Sequence, residues 1–194
     1  IPVEQLPKIC KEPHMLPVYE KVIHRMHRWK AMQEQALLQT AQPLLAWYPL
    51  HARDLPWRHT QEPYRIWLSE IMLQQTRVEA VKNYYARFLE TFPDIAALAA
   101  AEQDQVNKCW EGLGYYSRAA NLRKAAQTIQ EQYGGVFPRT WEEVRGLAGV
   151  GDYTAGAVCS ICYGLPTPAV DGNVLRVAAR VMNHFCEIDR PEQK

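Results

Sequence analysis

The stretch 147-LAGVGDYTAGAV-158 places two glycines one residue apart, immediately before a run of residues that is typical of a helix. Glycine is costly in regular structure, but it is useful where the backbone needs a positive φ or where another group must come very close. Gly149 and Gly151 therefore predict a sharp turn with an exposed backbone.

This turn connects two predicted helices, residues 141–147 and 152–163. Thr140 and Glu143 form a capping-box pattern before the first, and good helix formers with a regular apolar face make up the second. The unpaired N–H groups that begin the second helix point outward beside the positive end of its dipole, which suits a phosphate group. The same Gly-x-Gly pattern also occurs in tight turns that bind nothing, so it does not establish a phosphate site by itself.

Length and composition describe a folded chain without a membrane-spanning run. The 194 residues suit one large or two small domains, and 47% apolar residues are enough for a core. No apolar run approaches the roughly 20 residues of a membrane span, and the chain starts without a charged-then-apolar leader. Five scattered cysteines favour reduced intracellular thiols over a disulfide framework. We expect an intracellular protein, cytoplasmic in a bacterium and nuclear or mitochondrial in a eukaryote.

Almost every segment has the pattern of a helix, and none shows convincing strand alternation. Proline and glycine separate these segments. The predicted helices cover residues 36–47, 64–89, 94–111, 117–133, 141–147, 152–163 and 173–185. We therefore expect an all-α fold with short connections, a compact orthogonal array of helices. Residues 1–34 are predicted to form a partly ordered extension, because this end of the chain is rich in proline, histidine and basic residues.

A carboxylate among apolar residues marks the stretch 67-WLSEIMLQQT-76. Glu70 is surrounded by large apolar side chains in the sequence, with Gln74 one helical turn further along the same face. Most glutamates on helices face solvent. Apolar neighbours nevertheless favour a raised pKa, and hence a role as a general acid.

Two further stretches carry polar or aromatic side chains beside glycine. In 170-VDGNV-174, Asp171 or Asn173 is suited to capping the following helix, which is the commonest use of these residues. In 112-GLGYYSR-118, two tyrosines and an arginine are suited to stacking on nucleic-acid bases, although core packing is the commoner use of tyrosine.

These three stretches and the glycine turn closely resemble, in their order along the chain, the helix-hairpin-helix DNA glycosylases, and within them the adenine DNA glycosylases of the MutY type. The resemblance covers about residues 38–185, and four motifs in order are far more specific than any one of them. It implies the helix-hairpin-helix glycosylase fold and an enzyme that flips adenine out of the double helix and hydrolyses its N-glycosidic bond. The implied partner is double-stranded DNA with an A:8-oxoguanine or A:G mispair, bound by a monomer.

The resemblance also implies catalytic roles. Glu70 matches the acid that protonates adenine, so that adenine leaves as a neutral base. Asp171 matches the carboxylate that stabilises the sugar cation, and such a division of roles between two carboxylates is known for other glycosidic bonds. Asn173 and Tyr153 match residues that position the Asp171 side and the departing base.

The implied DNA contacts are of two kinds. Gln74 and Tyr115 match positions that enter the base stack at the flipped or opposing base, and Gln75 lies beside them. The hairpin matches a main-chain phosphate site, whose contacts carry no sequence information. We assign that site to Leu147, Gly149, Val150, Gly151 and Thr154.

Tyr153 also bears on the type of cleavage. In the endonuclease III branch, the position two residues after the second hairpin glycine is a lysine that forms a Schiff base and drives strand cleavage. Tyr153 occupies that position here, and Leu175 occupies a position where some relatives carry lysine. The resemblance therefore implies a monofunctional glycosylase.

The sequence departs from the family pattern in its cysteines. The family's [4Fe-4S] cluster is held by four cysteines beyond the region that ends here at Lys194, and none of the cysteines present has that spacing. We interpret Cys159 and Cys162 as packing residues and assign no metal ligand. The cluster is expected in the full-length protein with ligands absent from this chain, which favours a fragment over a cluster-free variant.

The resemblance suggests a division into subdomains. Residues 56–168 are predicted to form a helical-barrel subdomain that contains the hairpin at 141–163. Residues 35–55 and 169–194 are predicted to be parts of a truncated second, cluster-side subdomain. We expect the family's C-terminal domain, which recognises 8-oxoguanine, to lie outside this chain.

Three other interpretations remain open at this point. An endonuclease III-type pyrimidine glycosylase is distinguished by the residue at position 153. An inert helix-hairpin-helix DNA-binding module needs neither Glu70 nor Asp171. A purely structural helical domain would make the four motifs a coincidence.

Overall fold

A computed structural model describes residue 31, residues 35–36 and residues 38–183 of the chain. The described residues belong to two compact units, one formed by residues 53–171 and the other by residues up to Ala52 together with those from Gly172 onward. The predicted N-terminal extension, apart from Ala31, and the predicted end of the last helix at residue 185 lie outside the described residues.

The unit formed by residues 53–171 is entirely helical, which confirms the expected all-α class. A short 3-10 helix, Pro56–Arg58, precedes seven α-helices. These are α1 (Pro63–Leu73), α2 (Val78–Thr91), α3 (Ile95–Ala100), α4 (Gln103–Trp110), α5 (Ser117–Tyr133), α6 (Trp141–Arg145) and α7 (Asp152–Tyr163). The helices predicted at 117–133 and 152–163 have the same bounds in the structure, whereas α6 ends two residues earlier than predicted.

Helix α1 is the centre of this unit. It packs against α2, α5 and α7, so most of its surface is covered by other helices. Trp67 and Leu68 are fully buried, and the ring of Trp67 meets that of Phe137 edge to face with centroids 5.6 Å apart. Since α1 is apolar over most of its surface, a polar side chain on it enters an apolar environment.

The single helix predicted over residues 64–89 is wrong, because the chain breaks between α1 and α2. Gln75 in the break has a φ of 56°. The guanidinium of Arg118 donates to the carbonyl oxygens of Ile71 and Met72, both at 3.0 Å, and to that of Gln74 at 2.5 Å. Carbonyls in the last turn of a helix need partners from outside the helix. Here a side chain more than forty residues away supplies them, and no glycine or proline marks the break in the sequence.

The single helix predicted over residues 94–111 is also wrong, because α3 and α4 are separate. Ala101 between them is extended, with a ψ of 147°. Gln105 reaches back to accept a hydrogen bond from the N–H of Glu102 at 3.0 Å, and Arg123 donates to the carbonyl of Ala101 at 2.5 Å. The Glu102–Gln105 spacing was a visible sign of a new helix start, which the apolar pattern obscured.

The other unit is described for fewer residues. Residues 38–51 are helical, so the helix predicted at 36–47 extends further than expected. Helix α8, Gly172–Val181, begins one residue before the predicted start at 173. Within the described part of the chain, no helix is both long and apolar enough to cross a membrane.

Two valines test this description of the core. Val106 on α4 is fully buried, whereas Val136 after α5 is 64% exposed. We expect Val106→Ala to lower the free energy of unfolding by about 2 kcal/mol, because two buried methyl groups are lost and a cavity is left. The same change at Val136 should cost less than about 0.5 kcal/mol. Urea unfolding followed by circular dichroism measures both, and equal losses would contradict the assigned core.

Candidate functional site

Helices α6 and α7 form the hairpin that the glycine pattern predicts. The capping box is confirmed: the Thr140 hydroxyl accepts from the Glu143 N–H, and the Glu143 carboxylate accepts from the Thr140 N–H, both at 3.3 Å. The turn is closed by a hydrogen bond of 3.1 Å from the N–H of Val150 to the carbonyl of Leu147. The hairpin is therefore fixed by local hydrogen bonds at its start and at its turn.

Glycine suits the two positions of the turn for different physical reasons. Gly149 has a φ of 74°, and a Cβ there would lie 2.8 Å from Cβ of Asn121 on α5. Gly151 has an ordinary φ of −97°, and a Cβ there would meet nothing within 4 Å. As the N-cap of α7, Gly151 offers no side chain to the N–H groups of the first turn. Glycine at this position leaves those N–H groups open to a group that arrives from solvent.

The other hairpin candidates present only their backbone to the outside. The side chains of Leu147, Val150 and Thr154 are buried, with 2–4% exposure. Any contact that these residues make with a large ligand must therefore involve main-chain atoms.

Arg145 is a hairpin residue that the sequence reasoning missed. Its guanidinium donates to the carbonyl of Val150 at 3.1 Å and to the carboxylate of Asp152 at 2.5 Å. It braces the turn, and it also balances the only acidic side chain in the first turn of α7. A basic residue in the last turn of α6, followed by an acid at the start of α7, is a visible sequence signal for such a pair.

Glu70, Tyr153 and Asp171 come together in this unit. The hydroxyl of Tyr153 is close enough to the carboxyl group of Glu70 to have a hydrogen-bonding effect on its pKa, and Asp171 is close enough for its charge to act on both. Burial raises the pKa of Glu70, and the charge of Asp171 raises it further, against the opposing effect of the Tyr153 hydrogen bond. The apolar setting predicted for Glu70 is present, with the expected direction of its pKa shift.

Tyr153 is able to donate a hydrogen bond in this contact. Burial and the two neighbouring carboxylates raise the pKa of Tyr153 to about 12. Its hydroxyl therefore keeps its proton near neutral pH and remains a hydrogen-bond donor to Glu70.

Asn173 belongs to the other unit. It is exposed near the start of α8, and its Oδ1 accepts a hydrogen bond from Arg176 at 3.0 Å. The role that the sequence suggests for Asn173 stays a prediction.

Two turns display the candidates for contact with bases. Tyr115, between α4 and α5, has a φ of 48° and is 62% exposed. Gln75, between α1 and α2, has a φ of 56° and is exposed, whereas its neighbour Gln74 is half-buried. A positive φ is uncommon for residues other than glycine and requires support from the surrounding structure.

Arg118 supplies that support, which corrects the expectation that this arginine is available to stack on bases. Only 8% of it is exposed. Besides the carbonyls that end α1, its guanidinium binds those of Leu113 at 3.2 Å and Gly114 at 3.3 Å. It also lies over the ring of Tyr115, 5.5 Å from the centroid. One guanidinium thus joins both turns, because its fork of N–H groups can serve several carbonyls at once.

The described cysteines do not fit an iron–sulfur ligand set. Cys109, Cys159 and Cys162 are free, and no group of three or more His, Cys, Asp or Glu side chains suited to a metal occurs among the described residues. Cys159 is fully buried, and burial raises the pKa of both α7 thiols, that of Cys162 to about 12. Cys159 belongs to the hydrophobic core and Cys162 packs against it, which agrees with the interpretation of both as packing residues. Cys10 and Cys186 lie outside the described residues.

Comparison with known families and proteins agrees with this geometry. The family described as HhH-GPD superfamily base excision DNA repair protein matches residues 68–190. A human adenine DNA glycosylase is 48% identical over 147 residues, which cover 71% of this chain and 27% of the human protein. An adenine DNA glycosylase of Buchnera aphidicola is 42% identical, over 72% of this chain and 40% of that protein. The chain thus spans well under half the length of these curated relatives.

Solved structures share the fold. A thermostable thymine-DNA glycosylase superposes with a TM-score of 0.70 at 30% identity, over 74% of this chain and 67% of that one. An endonuclease III trapped as a covalent intermediate with DNA superposes with a TM-score of 0.69. The superposition covers 81% of this chain and 72% of the endonuclease III chain, at 24% sequence identity. This likeness concerns the fold alone.

The contacts of Arg118 predict the cost of replacing it. Lysine keeps the charge but not the fork, so we expect Arg118→Lys to leave buried carbonyls without a donor and to lower the free energy of unfolding by about 2–4 kcal/mol. Arg139→Lys is the control, because Arg139 is exposed and lies 5.7 Å from the ring centroid of Tyr163. Chemical denaturation compares the two variants, and a similar small loss in both would contradict the bracing role.

The pKa of Glu70 predicts a pH-dependent gain in stability when the carboxyl group is removed. Because this pKa is raised in the folded chain above the ordinary value of 4.5, ionisation of Glu70 destabilises the fold as pH rises through that range. Glu70→Gln should therefore be more stable than the wild type at pH 7–8 and lose this advantage below pH 4.5. This gain in stability is about 1.4 kcal/mol for every tenfold decrease that folding causes in the acid dissociation constant of Glu70. Glu90→Gln, at an exposed position of α2, is the control. An unchanged stability difference from pH 4 to 8 would rule out the burial effect.

Proposed function

The chain belongs to the HhH-GPD superfamily of base excision DNA repair proteins, and from this premise we propose that it is the catalytic region of an adenine DNA glycosylase. The contact that carries the proposal is the one among Glu70, Tyr153 and Asp171. Binding of a DNA backbone alone has no use for two carboxylates in a half-buried site. Acid-assisted cleavage of a glycosidic bond needs one carboxyl group protonated and one ionised.

Backbone binding is assigned to the hairpin. The N–H groups at the start of α7, opened by Gly151, receive a phosphate of double-stranded DNA through the main chain of residues 147–154. The sharp turn at Gly149 and the brace from Arg145 keep these groups in place before DNA arrives. This contact positions the enzyme on any duplex without reading its sequence.

Base flipping is assigned to the two turns that Arg118 joins. Adenine inside a duplex is inaccessible, so it must leave the stack before its glycosidic bond can be cleaved. The exposed ring of Tyr115 and the amides of Gln74 and Gln75 fill the space beside the flipped or opposing base. The strained but braced backbone holds both turns in place, so that mainly the side chains have to be ordered when DNA binds.

The chemical step is assigned to the carboxylates. Glu70 gives its proton to the flipped adenine, the electron pair of the breaking N-glycosidic bond goes to the base, and adenine leaves neutral. Asp171 remains ionised and stabilises the positive charge that develops on the sugar. Water then forms the new C–O bond and gives its proton to the Glu70 carboxylate, which restores the acid. Tyr153 holds Glu70 in place by its hydrogen bond, and Asn173 is assigned to positioning on the Asp171 side.

Tyr153 also supports a monofunctional enzyme. A lyase needs an amine that attacks the sugar to form a Schiff base. A phenol whose pKa is raised to about 12 is neither an amine nor ionised near neutral pH. The product is therefore an intact strand with an abasic site.

The finer partner assignments follow from the adenine DNA glycosylases that the chain resembles. The substrate is adenine opposite 8-oxoguanine or guanine, the enzyme acts as a monomer, and it works in a compartment that contains DNA. A [4Fe-4S] cluster of the full-length protein would be held by cysteines other than those of α7.

Single-turnover excision from labelled duplexes tests the function in the full-length protein. Adenine opposite 8-oxoguanine or guanine should be released, and strand breaks should appear only after hot alkali. Thymine opposite guanine and oxidised pyrimidines should be excised far more slowly, although a thymine-DNA glycosylase shares the fold. Preferential release of a pyrimidine would overturn the adenine assignment, and abundant borohydride-trapped adduct would overturn the monofunctional one.

Glu70→Gln is the matched control for this assay. The amide keeps the shape and the contact with Tyr153 but cannot supply a proton, so excision should fall by about 10²–10⁴-fold or more while duplex binding persists. Wild-type excision should also decline as pH rises above the raised pKa of Glu70, because the acid form is lost. Near wild-type excision by Glu70→Gln would show that another group is the acid.

A further inference from the structure

The segment of residues 164–171, here called the return segment, brings Asp171 back along α7. Gly164 ends α7 in the left-handed conformation with a φ of 66°, so the chain reverses direction. The N–H of Leu165 then donates to the carbonyl of Cys159 at 3.3 Å. The hydroxyl of Thr167 donates to the carbonyl of Gly156 at 3.1 Å. The segment therefore runs from the end of α7 toward its beginning, where Tyr153 lies.

Gly156 is the point of closest approach between α7 and the return segment. It is buried in the middle of the helix. A Cβ at Gly156 would clash with the carbonyl oxygen of Pro168, and it would lie 2.8 Å from that carbonyl carbon and 3.3 Å from the nitrogen of Ala169. The obstacles are backbone atoms, which cannot rotate away as a side chain can. Two backbones are packed here at a distance that only glycine allows.

We infer that Gly156 and Thr167 are positioning residues that set the place of Asp171 opposite Glu70 and Tyr153. Gly156 determines how closely the return segment approaches α7, and Thr167 fixes its register along the helix. Asp171 follows Pro168 by three residues on the return segment, and Tyr153 precedes Gly156 by three residues on α7. On each element, the site residue therefore lies three positions from the close contact between Gly156 and Pro168. The inference rests on the proposed function where it concerns rate, and on geometry alone where it concerns the carboxyl pair.

Titration of Glu70 reports the position of Asp171. Among the residues that the structure describes, the ionisable groups that interact with Glu70 are Tyr153 and Cys162 on α7 and Asp171 on the return segment. The pKa values of Tyr153 and Cys162 are raised to about 12, so neither group loses its proton below pH 9. The charge of Asp171 raises the pKa of Glu70. Moving Asp171 away from α7 must therefore lower that pKa.

Gly156→Ala tests the inference in the full-length protein by two independent measurements. The added methyl group should push the return segment away from α7, lower the pKa of Glu70 seen by carbon-13 NMR without DNA, and slow adenine excision by about 10²-fold. Binding to an uncleavable duplex should change by less than about threefold, because the hairpin turn is not displaced. Gly146→Ala is the control, since its added methyl group would meet its nearest atom at an ordinary 3.4 Å.

A double-mutant cycle separates positioning from general damage. If Gly156 acts through Asp171, Gly156→Ala should cost less than about twofold more in an Asp171→Asn background, because the displaced charge is already absent. If the fold-loss of excision in the double variant equals the product of the losses in the two single variants, the inference is overturned. An unchanged titration of Glu70 in Gly156→Ala would also overturn it.

Thr167 keeps the inference testable where Gly156→Ala fails to fold. Thr167→Val retains the shape but removes the hydrogen bond to α7, so it should lower excision several-fold and lower the pKa of Glu70. Thr167→Ser retains the hydroxyl and should restore both. If Thr167→Val and Thr167→Ser show the same excision rate and the same pKa of Glu70, the positioning role of Thr167 is overturned. If the wild type releases no adenine, the proposed function fails, while the titrations still decide whether Gly156 and Thr167 place Asp171.

Discussion

The guanidinium of Arg118 is the interaction on which the arrangement of α1 and its neighbours depends. By binding the last carbonyls of α1, it stops that helix at Leu73 and starts a turn where the apolar pattern would continue the helix. Glu70 thereby lies in the last turn of a buried helix rather than in the middle of a longer one. The same group binds the turn before α5, so the residues proposed to enter the DNA are supported by one buried cation.

The proposed catalytic pair depends on a different balance, between burial and charge. Burial disfavours the ionised form of Glu70, and the nearby carboxylate of Asp171 disfavours it again. Tyr153 opposes both effects by donating a hydrogen bond, and it brings no positive charge. The positive charge of a lysine at this position would favour the ionised form of Glu70 and so lower the pKa of Glu70. The residue proposed to exclude lyase chemistry is thus also compatible with an acid that stays protonated.

Local patterns predicted the parts of this structure that local forces determine. The bounds of α5 and α7 and the capping box at Thr140 follow from neighbouring residues. The apolar neighbours of Glu70 gave the direction of its pKa shift, although the contribution of Asp171 comes from a distant position. The break at Gln74–Arg77 could not be found in this way, because Arg118 stabilises it from a distant position. The break at Ala101–Glu102 had a local sign in the Glu102–Gln105 spacing, and Arg123 stabilises it from a distant position as well. An arginine in a glycine turn looks the same in a sequence whether it faces solvent or binds buried carbonyls. The roles of Asn173 and of the residues proposed to contact DNA remain predictions.

Three glycines near the site show why residue type alone does not reveal a physical cause. Gly149 is needed for its positive φ, Gly151 leaves an open approach to the start of α7, and Gly156 permits two backbones to pack closely. In a helix, glycine costs about 1 kcal/mol relative to alanine, so a pattern of helix formers makes Gly156 look like a defect. The close packing of the return segment against Gly156 offsets this cost. That segment is close to Gly156 in space, although it follows the end of the helix in the sequence. A stabilising exchange to alanine in the middle of α7 would therefore act against the placement of Asp171, which is a local form of the conflict between stability and activity.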